Sequence, residues 1–297
     1  GRLFRERLAD ADPFVRRAAA EACVACPTVD AVSDLLAAIR STPADDRQLS
    51  HALRMAVAAT LRSADPAQLT AIPVATADRA TLLDIVAGLP GEVFARYGLT
   101  LSRQGQPSAT NLARVCRSVA RYADDKQVDD AAAYARASCG DDVDRTATVI
   151  QAMLEGRRES GRPIIPESGL AGWSRWFLDA VGGQPTRPSD AAVRAAVIAA
   201  AGLSLKQSLG LLLGVVRDPA RPVELRRDAA AVAVAVDRPA SVEALIGRLA
   251  MRDEPAAARV EFVKQLAGID LPQARQAVAV AVSTAAAAEQ RSLAFAA

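Results

Sequence analysis

The chain has 297 residues, of which 36 are basic, 34 are acidic, 67 are Ala and only 4% are aromatic. Abundant Ala favours thin, closely packed helices, because Ala has the highest helix propensity. The composition argues against a β-rich fold, which uses β-branched and aromatic side chains. Basic and acidic residues are interspersed, which disfavours nucleic acid as a partner, since nucleic-acid-binding proteins usually gather basic charge on one face.

The most regular feature along the chain is a short helix-entry phrase. It first occurs at Asp12, which suits a helix N-cap, followed by Pro13 at the first helical position. Related phrases follow, beginning at Asp46, Ser189, Pro222 and Glu254. Their corresponding apolar residues lie 34 residues apart for Val15 and Leu49, and 32 and 33 apart for Val193, Leu225 and Ala258. This period of about 32–34 residues predicts an all-α fold, a HEAT-like α-solenoid of stacked antiparallel helix pairs.

Apolar residues at helical spacing between the phrases predict the remaining helices. These cover residues 80–87, 108–122, 126–138, 142–155, 205–216, 241–250 and 272–282. Residues 156–172 are rich in Gly, Pro, Ser and charge, which predicts a long irregular loop between an N-terminal and a C-terminal block of repeats. We expect a single repeat domain over residues 1–297. Because both ends fall within helical patterns, we expect it to be a fragment of a longer protein.

Arginines occupy corresponding positions in several phrases and are candidate functional residues. They are Arg16, Arg54, Arg194, Arg226 and Arg259. In stacked repeats such residues align, so we expect them to pair with acidic residues of adjacent repeats as an inter-repeat ladder. Alternatively, they line a concave surface that binds an acidic partner. His51, the only histidine, is predicted to have a packing or inter-repeat hydrogen-bonding role rather than a catalytic one.

Two tryptophans, Trp173 and Trp176, follow the predicted loop and form a candidate aromatic patch. Their expected role is to fill a larger gap between repeats, and the alternative is a platform on which a ligand stacks.

The sequence predicts no catalytic residues, cofactor or metal site. Cys23 and Cys26 have CxxC spacing, but Pro27 stands where a c-type haem site requires His. No membrane span is predicted either, because no uncharged apolar stretch reaches the roughly 20 residues that a spanning helix needs.

One helical segment carries a family resemblance. Residues Arg47-Gln-Leu49-Ser-His51-Ala-Leu53-Arg-Met-Ala-Val57 resemble the R-x-L-x-H-A-L-x-x-A-L helix of a HEAT-repeat segment. That segment belongs to large proteins of planctomycete and verrucomicrobial type, known as membrane-bound dehydrogenases or haem-binding CxxCH proteins. Trp173, Leu225-Arg226-Arg227 and Leu271-Pro272 lie at further similar points.

The resemblance implies a non-catalytic spacer between two redox domains of a longer, exported or periplasmic protein. In that family a propeller-like sugar-dehydrogenase domain precedes the HEAT segment and a cytochrome c domain follows it. This chain has neither the propeller nor the CxxCH sequence, so redox chemistry is not assigned to its residues. The implied partners are proteins: the flanking domains or another chain. The alternative function is a nucleic-acid-binding or enzyme-associated module that uses arginines on its concave face.

Overall fold

The computed structural model describes residues 2–184, 186–203, 206–251 and 254–297. Across these ranges the chain forms α-helices and two short 3-10 turns, with no β-strand. The first nine helices are α1 (Arg2–Arg7), α2 (Pro13–Ala25), α3 (Ala31–Ser41), α4 (Arg47–Ser63), α5 (Pro66–Ala71), α6 (Arg79–Ala87), α7 (Glu92–Arg103), α8 (Ala109–Tyr122) and α9 (Asp125–Cys139). The remaining nine are α10 (Val143–Glu159), α11 (Gly169–Gly182), α12 (Asp190–Leu203), α13 (Leu209–Arg217), α14 (Val223–Val236), α15 (Arg238–Leu249), α16 (Ala256–Ala267), α17 (Pro272–Thr284) and α18 (Ala287–Ala296).

The chain divides into two compact units. The first unit runs up to Ser138 and includes Ala152–Arg162; the second contains Cys139–Gln151 and Pro163–Ala297. Residues 143–151 of α10 therefore belong to the second unit and residues 152–159 to the first.

Helices in each unit stack in two layers. In the first unit α2, α4, α6 and α8 pack side by side in sequence, while α1 packs on α3 and α5 on α7. In the second unit α12, α14, α16 and α18 form one layer, and α13, α15 and α17 form the other. Helices adjacent in the chain pack as pairs across the layers, such as α3 with α4 and α13 with α14. The predicted all-α architecture of stacked helix pairs, an α-solenoid, is confirmed.

Side-chain caps place the helix starts where the phrases predicted them. The Asp12 carboxylate accepts a hydrogen bond from the Phe14 N–H at the start of α2, where Pro13 occupies the first helical position. Asp46 accepts from the Leu49 N–H at the start of α4 in the same way. These bonds satisfy backbone donors that have no partner within the helix.

The irregular loop is shorter than the 156–172 predicted. Helix α10 continues to Glu159 and α11 begins at Gly169, so the non-helical segment covers residues 160–168. Gly156, which suggested a loop, lies inside α10. A Cβ atom at this position would come within 2.4 Å of the Arg117 carbonyl oxygen of α8, so the glycine permits close helix packing. The helix predicted over 205–216 begins at Leu205, which lies outside the described residues; α13 starts at Leu209.

Small aliphatic residues form most of the core, as the composition predicted. In α12 the buried face is built from five alanines with Val193 and Val197. Larger side chains appear locally: Trp173 and Phe177 of α11 are 1% and 0% exposed. No helix in the described part of the chain is long and apolar enough to cross a membrane.

Candidate functional site

Three of the predicted ladder arginines form ion pairs with acids about one repeat further along the chain. Arg54 of α4 pairs with Asp84 of α6. Arg226 of α14 lies 2.6 Å from Glu254, measured from Nη1 to Oε1. Arg259 of α16 lies 3.2 Å from Glu289 of α18, from Nε to Oε1. The first and third pairs link neighbouring helices of one layer, and Arg226 is linked to the connection that precedes α16.

The other predicted residues are placed differently. Arg16 is half-buried, and its Nε has no hydrogen-bond partner among the described residues. Arg194 is exposed on α12 and His51 is exposed on α4. Neither side chain makes an ion pair or hydrogen bond within the described ranges. The inter-repeat hydrogen bond predicted for His51 is therefore not present in this part of the structure.

Arg226 is a buried residue. The Arg226 and Glu254 side chains are both 0% exposed. A second bond joins Arg226 Nη2 to Glu254 Oε2 at 2.9 Å, and the guanidinium also donates to the Val216 carbonyl. Its carbon Cζ lies 5.1 Å from the Phe262 ring centroid. Arg226 is thus an internal part of the second unit and does not line a surface for an acidic partner.

A row of arginines lies along α8 in the first unit. Arg114, Arg117 and Arg121 recur at a spacing that puts them on one helix face, and their side chains are 56%, 47% and 46% exposed. Helix α8 begins where Ser108 accepts a hydrogen bond from the Asn111 N–H. The opposite face is buried and includes Leu112, so the arginine face is the one directed away from the core.

Acids on the neighbouring helices pair with these arginines. Asp84 of α6 pairs with Arg114 and also with Arg54 of α4. Glu159, near the end of α10, pairs with Arg117 and lies 3.2 Å from Arg121, from Oε2 to Nη1. Each of these two carboxylates is therefore shared by two guanidinium groups.

A cleft of about 320 Å³ opens among these side chains, and we call it the arginine cleft. Its lining comprises Asp84, Ala87, Gly88, Leu89, Arg114, Arg117, Ser118, Arg121, Tyr122 and Glu159. Two features of the backbone lie beside it. Helix α6 ends at Ala87, and Gly156 brings α10 close to α8. All the lining residues belong to the first unit.

The arrangement favours the charged forms of its members. The hydrogen bond from Arg117 lowers the pKa of the Glu159 carboxyl below its usual value, and the same bond raises the pKa of Arg117. Arg121 stacks on Tyr122 with Cζ 5.1 Å from the ring centroid. Ser118 is 5% exposed, and its hydroxyl has no hydrogen-bond partner among the described residues. Glu155 of α10 also lies 3.6 Å from Arg117, from Oε2 to Nη1, so the guanidinium groups of the cleft face the carboxylates of Asp84, Glu155 and Glu159.

The candidate aromatic patch does not form a continuous surface. Trp173 is buried in the second unit, while Trp176 is partly exposed. A buried indole cannot offer its face to a ligand, so Trp173 is a core residue.

Cysteines and other metal-binding side chains do not cluster in the described ranges. Cys23, Cys116 and Cys139 are buried and Cys26 is exposed, and none of them forms a disulfide bond in the described part of the chain. Burial raises the pKa of the Cys23 and Cys139 thiols. Within the described residues, no three His, Cys, Asp or Glu side chains are grouped to hold a metal ion.

The arginines of α8 were missed by the repeat-based reading of the sequence, although their spacing at 114, 117 and 121 is visible in it. What the spacing could not show is the acid that faces each arginine. Comparisons of the chain with protein-family models, curated proteins and solved structures found no match.

Proposed function

We propose that this chain is a non-catalytic helical-repeat scaffold that binds protein through the arginine cleft of the first unit. The observation that carries the proposal is the row of three half-exposed arginines on α8, set beside a cleft of about 320 Å³. Arginine is enriched at the centres of protein interfaces, since its planar guanidinium both stacks and donates several hydrogen bonds.

Ion pairs between successive helices support the scaffold part of the proposal. Arg54 with Asp84 and Arg259 with Glu289 join neighbouring helices of one layer, and Arg226 with Glu254 joins α14 to the segment just before α16 in the core. Repeat proteins depend on contacts between neighbouring repeats for stability. Such pairs favour one relative position of neighbouring helices, which a scaffold needs.

The resemblance of the His51 segment supports a narrower form of the proposal. In this form the scaffold is a spacer between a propeller-like dehydrogenase domain and a cytochrome c domain of an exported protein. Sequencing the gene on both sides of this segment tests it. We expect the reading frame to continue into those two domains. A reading frame that stops close to both ends would contradict the spacer while leaving the protein-binding proposal standing.

A capture experiment tests the protein-binding proposal. The immobilised chain is incubated with extract of the source organism, or with flanking domains supplied as separate proteins. The test variant changes Arg114, Arg117 and Arg121 together to Gln. The control changes Arg62, Arg217 and Arg291, which are exposed and make no ion pair in the described residues. We expect the wild type and the control to retain a partner that the test variant loses. Equal capture by all three proteins would contradict the proposal.

Nucleic acid is the alternative ligand for exposed arginines. The pairing pattern argues against it, because every cleft arginine already faces a carboxylate and the chain's formal net charge is only +2. Binding to phosphate backbones depends steeply on salt and on clustered positive charge. Salt-sensitive binding of DNA or RNA that the cleft variant abolishes would replace the protein-binding proposal with this alternative, an arginine-based nucleic-acid module.

A further inference from the structure

Another cavity of the first unit lies between the short helix α5 and the longer helix α7. The two helices pack side by side, but α5 has 6 residues and α7 has 12. At a rise of about 1.5 Å per residue, α5 is shorter by roughly 9 Å, so part of α7 extends beyond it. A cavity of about 260 Å³ opens between the two helices, and we call it the α5–α7 cavity.

The lining of the α5–α7 cavity is mainly apolar and comes from both helices. It includes Leu69 and Thr70 of α5 together with Val93, Arg96, Tyr97 and Thr100 of α7. The four α7 residues recur at helical spacing and therefore share one face of that helix. Val93 is 42% exposed although its side chain is a large apolar one. Such a surface suits an apolar group of a ligand.

Most hydroxyl groups of the lining already have partners. Thr70 Oγ1 donates to the Ala67 carbonyl at 2.8 Å, and Thr100 Oγ1 donates to the Arg96 carbonyl at 3.0 Å. Tyr97 is different, because it is 5% exposed and its hydroxyl has no hydrogen-bond partner among the described residues. A phenylalanine would fill the same space without the cost of burying a hydroxyl. The Tyr97 hydroxyl is therefore a donor that lacks an acceptor in the described part of the free chain.

The charges around the cavity favour a neutral ligand. Arg96 is the charged residue of the described lining, and its Nη1 lies 3.7 Å from Oε1 of Glu92, one turn earlier on α7. The Glu92 carboxylate also accepts a hydrogen bond from Gln127 of α9. The Arg96–Glu92 pair carries no net charge, so it selects neither an anion nor a cation.

A ligand reaches the Tyr97 hydroxyl only when a side chain of the lining moves, because this oxygen is covered in the free chain. Arg96 is the lining residue best able to move. Its side chain is 65% exposed, and its ion pair with Glu92 is long and solvent-exposed. Exposed ion pairs contribute little to stability, so displacing the Arg96 side chain costs little.

We propose that the α5–α7 cavity binds a small neutral molecule, whose apolar ring lies against Leu69 and Val93 and whose carbonyl oxygen accepts a hydrogen bond from Tyr97. A cavity of about 150 Å³ holds a benzene ring, so the larger volume of about 260 Å³ accommodates one ring with a short substituent. The site is separate from the arginine cleft, and the proposal does not depend on protein binding there.

Acetophenone is a suitable probe for this site. Isopropenylbenzene is its matched control, because it replaces the carbonyl oxygen with a methylene group and keeps the shape. Titration of the full chain, followed by NMR through the backbone amides of α5 and α7, measures both affinities. We expect Tyr97→Phe to weaken acetophenone binding by about fivefold, the loss expected for one neutral hydrogen bond. Isopropenylbenzene should bind more weakly than acetophenone to the wild type, and equally to the wild type and Tyr97→Phe.

Two further variants serve as controls. Tyr122→Phe removes a hydroxyl from the arginine cleft, and it should bind acetophenone as the wild type does. Thr70→Phe keeps the Tyr97 hydroxyl but fills the cavity from an exposed position, and it should abolish binding of both probes. Tyr97→Phe should remain folded, because it removes only a buried hydroxyl with no partner in the described residues.

Four results would overturn the proposal. The first is that acetophenone shifts no amide signal of α5 or α7. The second is an acetophenone affinity that Tyr97→Phe leaves unchanged, and the third is equal affinity of the wild type for acetophenone and isopropenylbenzene. The fourth is tighter binding of benzoate or benzylamine, which would mean that the cavity selects a charged ligand. Capture of a partner through the arginine cleft is a separate measurement, so either proposal can fail without the other.

Discussion

Arg226 and Glu254 form a bidentate ion pair whose two side chains are completely buried in the second unit, with oxygen–nitrogen distances of 2.6 and 2.9 Å. Arg248 adds a second cation, with its Nε 2.6 Å from Glu254 Oε2. Removing ions from water is costly, and such clusters are stable only when every member is paired. Arg226, one of the predicted ladder arginines, therefore lies inside the second unit and not on its surface.

Glu254→Gln should destabilise the protein severely. The change leaves the buried Arg226 guanidinium without its counter-charge, and breaking a buried pair in this way costs about 3–5 kcal/mol. Urea unfolding followed by circular dichroism measures the loss. Glu243→Gln, at an exposed position, is the matched control and should change stability by less than about 0.5 kcal/mol.

Replacing the Arg226–Glu254 pair with apolar residues gives a second test of the same relationship. Arg226→Met combined with Glu254→Leu should be more stable than Glu254→Gln alone, because the fully buried guanidinium is removed together with its counter-charge and only Arg248, whose side chain is 11% exposed, loses its partner. A double variant that is less stable than Glu254→Gln would contradict this. It would mean that other contacts of the Arg226 guanidinium, such as its hydrogen bond to the Val216 carbonyl, contribute more to stability than the unpaired buried charge costs.

Gly156→Ala and Gly172→Ala should have effects of opposite sign, although both glycines lie inside helices. At Gly156 the added Cβ would come within 2.4 Å of the Arg117 carbonyl oxygen, whereas at Gly172 nothing lies within 4 Å. Overpacking at Gly156 should cost about 1–3 kcal/mol. Alanine at Gly172 should stabilise by up to about 1 kcal/mol, through helix propensity. Thermal unfolding of the two variants would decide, and stabilisation by both would contradict the close approach of α10 to α8.

Tyr97→Phe should leave stability unchanged or raise it. Tyr97 is 5% exposed, and its hydroxyl has no hydrogen-bond partner among the described residues. Removing such a group relieves a desolvation cost. The control is Tyr134→Phe, which loses a 2.7 Å hydrogen bond to the Ser102 carbonyl and should cost about 1 kcal/mol. Equal destabilisation by the two substitutions would indicate an unrecognised partner for Tyr97.

Alkaline pH should weaken the wild type more than Tyr97→Phe. Burial raises the pKa of Tyr97 to about 12, whereas an unfolded tyrosine titrates near pH 10. The unfolded chain therefore releases this proton first, and stability falls as pH rises from about 10 towards about 12. Unfolding free energies measured at pH 9 and pH 11 in both proteins test this. A pH dependence that is identical in both would exclude Tyr97 as its source.

The sequence alone determined the class of fold, because that information is local. Asp12 and Asp46 are good N-cap residues, and they cap α2 and α4 as predicted. The regular spacing of the helix-entry phrases indicated stacked helix pairs. Helical periodicity and caps depend on residues only a few positions apart, so both can be recognised in the sequence. The predicted start of the last long helix at Pro272 agrees with α17 for the same reason.

Only the tertiary structure decided which charges meet. Arg226 and Arg194 occupy equivalent places in their phrases, yet one is fully buried with Glu254 and the other is exposed. In the sequence Gly156 indicates a loop, and only the structure shows that it allows α10 to pack close to the Arg117 carbonyl of α8. The arginine cleft depends on Asp84 and Glu159, which lie far from α8 in the chain and face it through packing alone. Which charges pair depends on the distances between different helices, whereas a sequence shows only the spacing of residues along each helix.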